Sequence, residues 1–262
     1  MEKGLRKKGD LKGKLKAKKR FGQNFLKNEY YLNRIVQAMS DNRLPIVEIG
    51  PGLGDLTEKL LEKGAVTAYE IDIQLCELLR EKFPTLPLKC GDVLEFWEKE
   101  SLLSQPYRIV ANLPYYIATR IVLKGLADPL VKELVVMVQR EVGDKFLAKP
   151  GEKNYSPLAI LTESVGEATK VTDVPPGAFT PPPKVVSSVL KIRKKRESFD
   201  PIFANFLKKG FRNPRKTLRK NLQPYYPHHN LDRVLERLKL PPTIRPHQVT
   251  YPTFFQLFSA LK

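Results

Sequence analysis

The chain has 262 residues, with 46 Lys and Arg against 28 Asp and Glu for a formal net charge of +18, and only two cysteines. That length builds one full α/β core and leaves roughly 70 residues for a small second domain. Cys76 and Cys90 fall in different predicted elements and lack the paired spacing of a zinc site or a disulfide framework, so both are expected to be reduced core residues. The first twenty residues lack the apolar core of a secretory signal, and no later run is long enough to span a bilayer. A cytoplasmic protein with no membrane partner is expected.

The charge is unevenly placed. Residues 1–20 carry +8 and residues 191–262 carry +13, while the stretch between them carries −3. Two basic ends around a slightly acidic middle point to a polyanion gripped by the flanks. An anionic membrane would need an aromatic-studded apolar helix face, which neither end shows.

In chain order, residues 1–20 form a lysine-rich tail with too few apolar side chains to fold without a partner. Tyr31, Ile35, Val36 and Met39 then fall on one helical face. Strand and helix signals alternate from there: strand 46–50, helix 53–63, strand 65–70, helix 73–83 and strand 86–90. Further strands rich in β-branched residues are predicted at 107–111, 134–138 and 185–192, with helices at 117–126, 141–148 and 157–165. This alternation predicts an α/β fold, Rossmann-like, around a mostly parallel sheet covered on both faces. The strand pattern ends in the basic run Lys191-Ile192-Arg193-Lys194-Lys195-Arg196, where a domain boundary is expected. Beyond it, proline-divided amphipathic helices carry expected core stripes at Ile202, Phe203, Phe206, Leu207 and Phe211, at Leu231, Val234, Leu235 and Leu238, and at Phe254, Phe255, Leu257, Phe258 and Leu261. The expected organisation is a tail (1–20), a main α/β domain (21–193) and a small all-helical, basic domain (194–262).

Two features carry chemistry. Val47-Glu48-Ile49-Gly50-Pro51-Gly52-Leu53-Gly54 is a strand that runs into glycines and opens a helix, and Glu70 closes the next strand. This is nucleotide-binding geometry, in which glycines admit a ligand to the backbone and the carboxylate bonds ribose hydroxyls. Alone it does not choose between a dinucleotide and S-adenosylmethionine. Asp92 ends a third strand and is placed to accept from an adenine amine. The second feature is Asn112-Leu113-Pro114-Tyr115, a polar turn after an apolar strand. The Asn112 side-chain carbonyl and the Leu113 backbone carbonyl can accept from one NH2 group, and Tyr115 offers a ring for a flat base. His228, His229 and His247 show no ligand spacing, so no metal is expected.

Gln23-Asn24-Phe25-Leu26, Glu48 to Gly54, Glu70, Gly91-Asp92, Asn112 to Tyr115 and Phe179-Thr180-Pro181-Pro182-Pro183-Lys184-Val185 together resemble the KsgA family of ribosomal RNA adenine dimethyltransferases. Arg215 to Leu222 resembles a family segment too. The resemblance implies an S-adenosyl-L-methionine-dependent enzyme. In it Asn24 and Leu26 close over the methionine end, Gly50 and Gly52 approach the cofactor, Glu70 takes the ribose and Asp92 the adenine. Ile71 and Val93 sandwich that ring, and Asn112 borders both ligands. Asn112 and Leu113 would orient the target amine, with the rings of Tyr115 and Phe179 clamping the base.

The implied reaction is dimethylation of N6 on two adjacent adenosines in a hairpin near the 3′ end of small-subunit (16S) ribosomal RNA, within an assembling pre-30S particle. The target would be unpaired or flipped. Arg212, Arg215, Lys216, Arg219 and Lys220 would grip phosphates, with Arg212, Arg215, Lys216 and Arg219 expected on one helical face. A monomer is expected. The alternatives are a large-subunit (23S) adenine N6-methyltransferase of the resistance type and an RNA-binding assembly factor with secondary catalysis. Gly22 and the prolines at 181–183 favour the small-subunit type.

Overall fold

Apolar runs buried on both sides set the architecture. The computed structural model describes residues 22–41 and 43–262, and the lysine-rich tail lies outside them. A short β1 (Phe25–Leu26) and α1 (Glu29–Ala38) lead into the alternating run of β2 (Ile46–Ile49), α2 (Asp55–Leu61), β3 (Val66–Glu70), α3 (Ile73–Lys82), β4 (Leu88–Cys90), α4 (Val93–Lys99), β5 (Tyr107–Asn112), α5 (Ala118–Ala127) and β6 (Val131–Gln139). Then come α6 (Arg140–Leu147), α7 (Pro157–Val165), β7 (Gly166–Val174), β8 (Phe179–Thr180) and β9 (Ser187–Lys194). The chain ends in α8 (Pro201–Gly210), α9 (Leu218–Leu222), α10 (His228–Arg237) and α11 (Tyr251–Leu261).

Seven strands form one sheet in the order β4-β3-β2-β5-β6-β9-β7. The pairs from β4 to β6 are parallel, whereas β9 and β7 join antiparallel. All of β2 and β5 from Tyr107 to Ala111 are buried, as strands covered on both faces by helices must be. Side chains start many of the helices: Asn28, Asp72, Asp92, Asp200, Thr217 and Thr250 each accept from a first-turn N–H. The predicted α/β sheet is therefore present, with element ends shifted by a few residues.

The sequence pattern missed α4, the β1–β8 ribbon and β7. The last is an edge strand paired only to β9, and its residues Glu167, Thr169, Lys170 and Asp173 leave no apolar alternation to read. The basic run at 191–196 also differs from a free polyanion grip. Lys191 pairs with Glu133, while Arg193 and Lys195 both pair with Glu167. Lys194 turns inward to donate to the carbonyls of Gly125 and Asp128 at the end of α5, and burial pulls its pKa down to about 8. The expectation of two reduced cysteines is corrected as well. Cys76 on α3 and Cys90 at the end of β4 form a disulfide, because the βα crossover brings their Cα atoms to 6.3 Å despite 14 residues of separation.

The phenylalanines of α8 and α11 stack into one cluster that also takes in Tyr155, Ala159, Ile160 and Leu161 around α7. The helical region thus shares its core with a helix of the α/β part. After α5, Asp128 organises a second anchor. Its buried carboxylate accepts from Trp97 Nε1 at 2.7 Å, Tyr107 Oη at 2.7 Å, Ser101 Oγ at 2.8 Å and Leu130 N at 2.8 Å. Burial raises its pKa, but these four donors outweigh burial and hold it below the usual aspartate value. A depressed acid stabilises the fold above its unfolded pKa and loses that contribution as pH falls through the folded one. Asp128→Ala, which strands three side-chain donors, should cost about 3 kcal/mol or more at neutral pH in urea unfolding. Its deficit should shrink on acidification; an undiminished deficit at low pH contradicts the ionised hub.

Candidate active site

The parallel strands β2, β3, β4 and β5 end on one edge of the sheet, and the loops that follow them meet there in one cavity. Its lining includes Asn24, Leu26, Gly50, Gly52, Glu70, Ile71, Asp92, Val93, Asn112, Leu113 and Tyr115. Every expected cofactor residue is therefore in one place, together with three of the four residues expected at the target base. This is the switch point of an open α/β sheet, where strand order reverses beside β2.

The glycine loop owes its shape to Glu70. One carboxylate oxygen accepts from Gly52 N at 3.1 Å and the other from Asp72 N at 2.9 Å. Burial raises the Glu70 pKa against the pull of these two backbone donors. Gly52 and Gly54 hold positive φ of 61° and 80°. A Cβ on Gly54 would meet the Phe83 ring at 2.5 Å, so no other residue fits without movement. Asp92 spends Oδ1 on Leu94 N at the start of α4, which leaves Oδ2 as its second acceptor.

The N-terminal segment lies over this edge as a strap. Gln23 donates to Asp72 at 3.0 Å, the Asn112 amide donates to the Asn24 carbonyl at 3.0 Å, and β1 pairs with β8. With its NH2 so engaged, Asn112 keeps its side-chain oxygen as an acceptor. The Leu113 N–H is taken by Met137 O, and no hydrogen bond among the described residues engages the Leu113 carbonyl.

Three placements differ from expectation, those of Phe179, of the Arg212, Arg215 and Lys216 set, and of Arg219, while Tyr115 does line the cavity. Phe179 lies outside the cavity: it is 4% exposed, pairs with Leu26 across the β1–β8 ribbon and packs beside Val174 and Val189. Its apolar bulk is used in the core rather than as a clamp. Tyr115 is half-buried and held by a 2.6 Å bond between its hydroxyl and Ser187, whereas the next ring, Tyr116, stands 57% exposed on the cavity wall. Arg212, Arg215 and Lys216 do not share a helix face, because α8 stops at Gly210 and Pro214 interrupts the path to α9. The turn is tied instead by Asn221, which bonds the backbone of Asn213, Lys216 and Thr217. Arg219 is clasped in two bonds by Asp232, while Arg215, Lys216 and Lys220 are exposed.

Sequence reading also missed Glu48 as a group with its own chemistry. It is 1% exposed in the cavity floor, and its Oε2 has no hydrogen-bond partner. Burial is the main cause that pushes its pKa up to about 8; the Thr57 hydroxyl opposes this and the Glu70 charge adds to it. The visible signal was an acid inside an otherwise apolar strand. A carboxyl that holds its proton more tightly when folded leaves stability whole below about pH 4.5 and erodes it as pH rises to about 8. Glu48→Gln should abolish that decline in thermal midpoint between the two pH values, and a variant that keeps the wild-type slope would refute a neutral Glu48.

Residues 14–262 match the family described as ribosomal RNA adenine dimethylase. The chain is 50% identical over 251 residues to ribosomal RNA small subunit methyltransferase A of Sulfurimonas denitrificans, covering 94% of both chains. It is 43% identical over 260 residues to the protein of the same name from Campylobacter jejuni strain RM1221, covering 95% of this chain and 96% of the relative. Among solved structures, a dimethyladenosine transferase from Plasmodium falciparum superposes with a TM-score of 0.72 at 28% identity, covering 89% of this chain and 95% of the other. The 23S rRNA methyltransferase ErmE superposes at 0.70 with 26% identity, covering 91% and 99%. A Rossmann-like methyltransferase sheet, a cavity where the glycine loop meets the Asn112 bend and this near full-length likeness agree: the chain belongs to the ribosomal RNA adenine dimethylase family.

Proposed function

We propose that the protein uses S-adenosylmethionine to dimethylate N6 of two adjacent adenosines in a hairpin near the 3′ end of small-subunit ribosomal RNA during subunit assembly. The observation that carries this reading is that the glycine loop and the Asn112-Leu113-Pro114-Tyr115 bend line the same cavity. The small-subunit target is favoured over a large-subunit one by the shared name of the bacterial relatives.

The cavity fits the cofactor on its donor set. Glu70 lies at the end of β3 for the ribose, Asp92 Oδ2 for the adenine amine, and Ile71 with Val93 for the two ring faces. The partnerless Oε2 of Glu48 on the floor leaves one buried polar atom open to a polar group of the ligand. When bound, S-adenosylmethionine supplies a methyl group activated by a sulfonium. The protein's part is orientation. Asn112 Oδ1 and the Leu113 carbonyl accept the two N–H bonds of the target amine and turn its lone pair toward the methyl. Asn112 is neutral and takes no proton; the amine loses its proton to water after it has become cationic. The ring of Tyr115 or Tyr116 covers the base, with Tyr115 fixed by Ser187 and Tyr116 open at the mouth.

Beyond the cavity, residues 194–262 form the RNA-gripping unit of the proposal, with Arg215, Lys216 and Lys220 exposed for phosphates. Among the described residues no helix is long and apolar enough to cross a membrane. The proposal includes a cytoplasmic monomer that acts on pre-30S particles. Mass spectrometry of ribosomal RNA after incubation with labelled methyl donor tests the whole reading. Dimethyladenosine should arise in naked or immature small-subunit RNA and not in large-subunit RNA; the reverse pattern contradicts it. In the same assay Asn112→Ala should lower turnover about a hundredfold. Cofactor affinity should change far less, and retained turnover would remove Asn112 from the orienting role.

A further inference from the structure

A second cleft, which shares no residue with the cofactor cavity, opens where the turn between α6 and α7 faces the end of α8. Lys145, Lys153, Lys208 and His247 lie on its walls, and no carboxylate does. Lys145 has a 3.2 Å contact with Glu141 outside the lining, an exposed pair of little strength. The nine-residue α7 begins at this cleft, since Ser156 and Pro157 both line it. Ser156 occupies the capping position yet its side chain makes no capping bond, so the first-turn N–H groups of Leu158 and Ala159 keep their unsatisfied helix-end character.

The hydroxyls here are out of keeping with a merely solvated face. Tyr155 lines the cleft at 3% exposure with a partnerless Oη, and Ser156 Oγ is likewise buried without a partner. Leaving a buried hydroxyl unpaired costs on the order of 1–3 kcal/mol, so two together beside a helix start call for a ligand. Apart from the Asn154 amide, the polar side chains and helix start of the lining can donate or carry positive charge: two O–H groups, a helix N-terminus and three ammonium groups. A tetrahedral oxyanion is the chemistry that accepts all of them. Burial, aided by the nearby Glu163 charge, raises the Tyr155 pKa and keeps it a donor.

We propose that this cleft is a phosphate subsite of the RNA substrate, where a backbone phosphodiester is held by Tyr155, Ser156 and the α7 start and is flanked by Lys153 and Lys208. The proposal rests on the ribosomal RNA reading above. Because α7 packs in one core with α8 and α11, a phosphate held here would fix the RNA against both parts of the protein at once.

The test is a salt series of fluorescence-anisotropy titrations of the full-length protein with a labelled small-subunit hairpin RNA, using Tyr155→Phe and the double variant Lys153→Ala/Lys208→Ala. Tyr155→Phe should weaken RNA binding about fivefold, the loss of one hydrogen bond, while leaving the thermal midpoint of the free protein unchanged or higher. The lysine double variant should lower the slope of log affinity against log salt by roughly 1 to 2. Wild-type affinity and slope in both variants overturn the subsite. If millimolar inorganic phosphate raises the wild-type midpoint but not that of the lysine variant, and RNA affinity is unchanged by both, the cleft takes free phosphate and the RNA assignment falls. Failure of the wild type to methylate small-subunit RNA, with hairpin binding still sensitive to both variants, would instead overturn the proposed function and leave the subsite standing.

Discussion

The site depends on one carboxylate that closes a strand. Glu70 stands at the end of β3 and binds Gly52 N and Asp72 N with its two oxygens, so a single side chain sets both the glycine loop after β2 and the turn into α3. A carboxylate buried to this degree is tolerated because two backbone donors meet it. The same arrangement fixes the cavity wall: the glycine loop and the start of α3 are held by Glu70 itself, so little ordering remains to oppose binding of a ligand there.

From this point the order spreads outward through short polar links. Asp72 caps α3 and receives Gln23, which fixes the strap; the strap's Asn24 carbonyl receives the Asn112 amide, which fixes the bend after β5. Glycine loop, strap and Asn112 bend are thereby one hydrogen-bonded circuit over the sheet edge. Loss of the strap would free the Asn112 amide to compete with its own carbonyl for orientation. In the proposed reaction this link is positional: the Asn112 oxygen that would face an amine is aimed by an NH2 group that holds the strap.

Much of this was legible in the sequence, for identifiable reasons. Periodic strands such as Val47 to Ile49 and Ile109 to Ala111 are buried on both faces and read as apolar runs. The glycine loop with Glu70, and the Asn112 bend, announce themselves because special backbone shapes demand particular residues. What escaped depends on contacts between distant segments. β7 has no apolar face to detect, Phe179 is drawn into the core by pairing with Leu26, and Cys76 meets Cys90 only once a helix is packed on its strand. The basic residues at 212–219 read as helical by spacing, but Pro214 and the Asn221 bonds make a turn, and Asp232 takes up Arg219. Charge counting sees cations and not their partners.

The central claim is that the bend and the cofactor's methyl group face one another across a single cavity. A structure of the protein with S-adenosylmethionine or its demethylated product tests this most directly. The account predicts the ribose at Glu70, the adenine between Ile71 and Val93, and the sulfur directed at the carbonyl oxygens of Asn112 and Leu113 with space for one amine between. A ligand whose sulfur points away from that bend, or which binds outside the cavity, would contradict it.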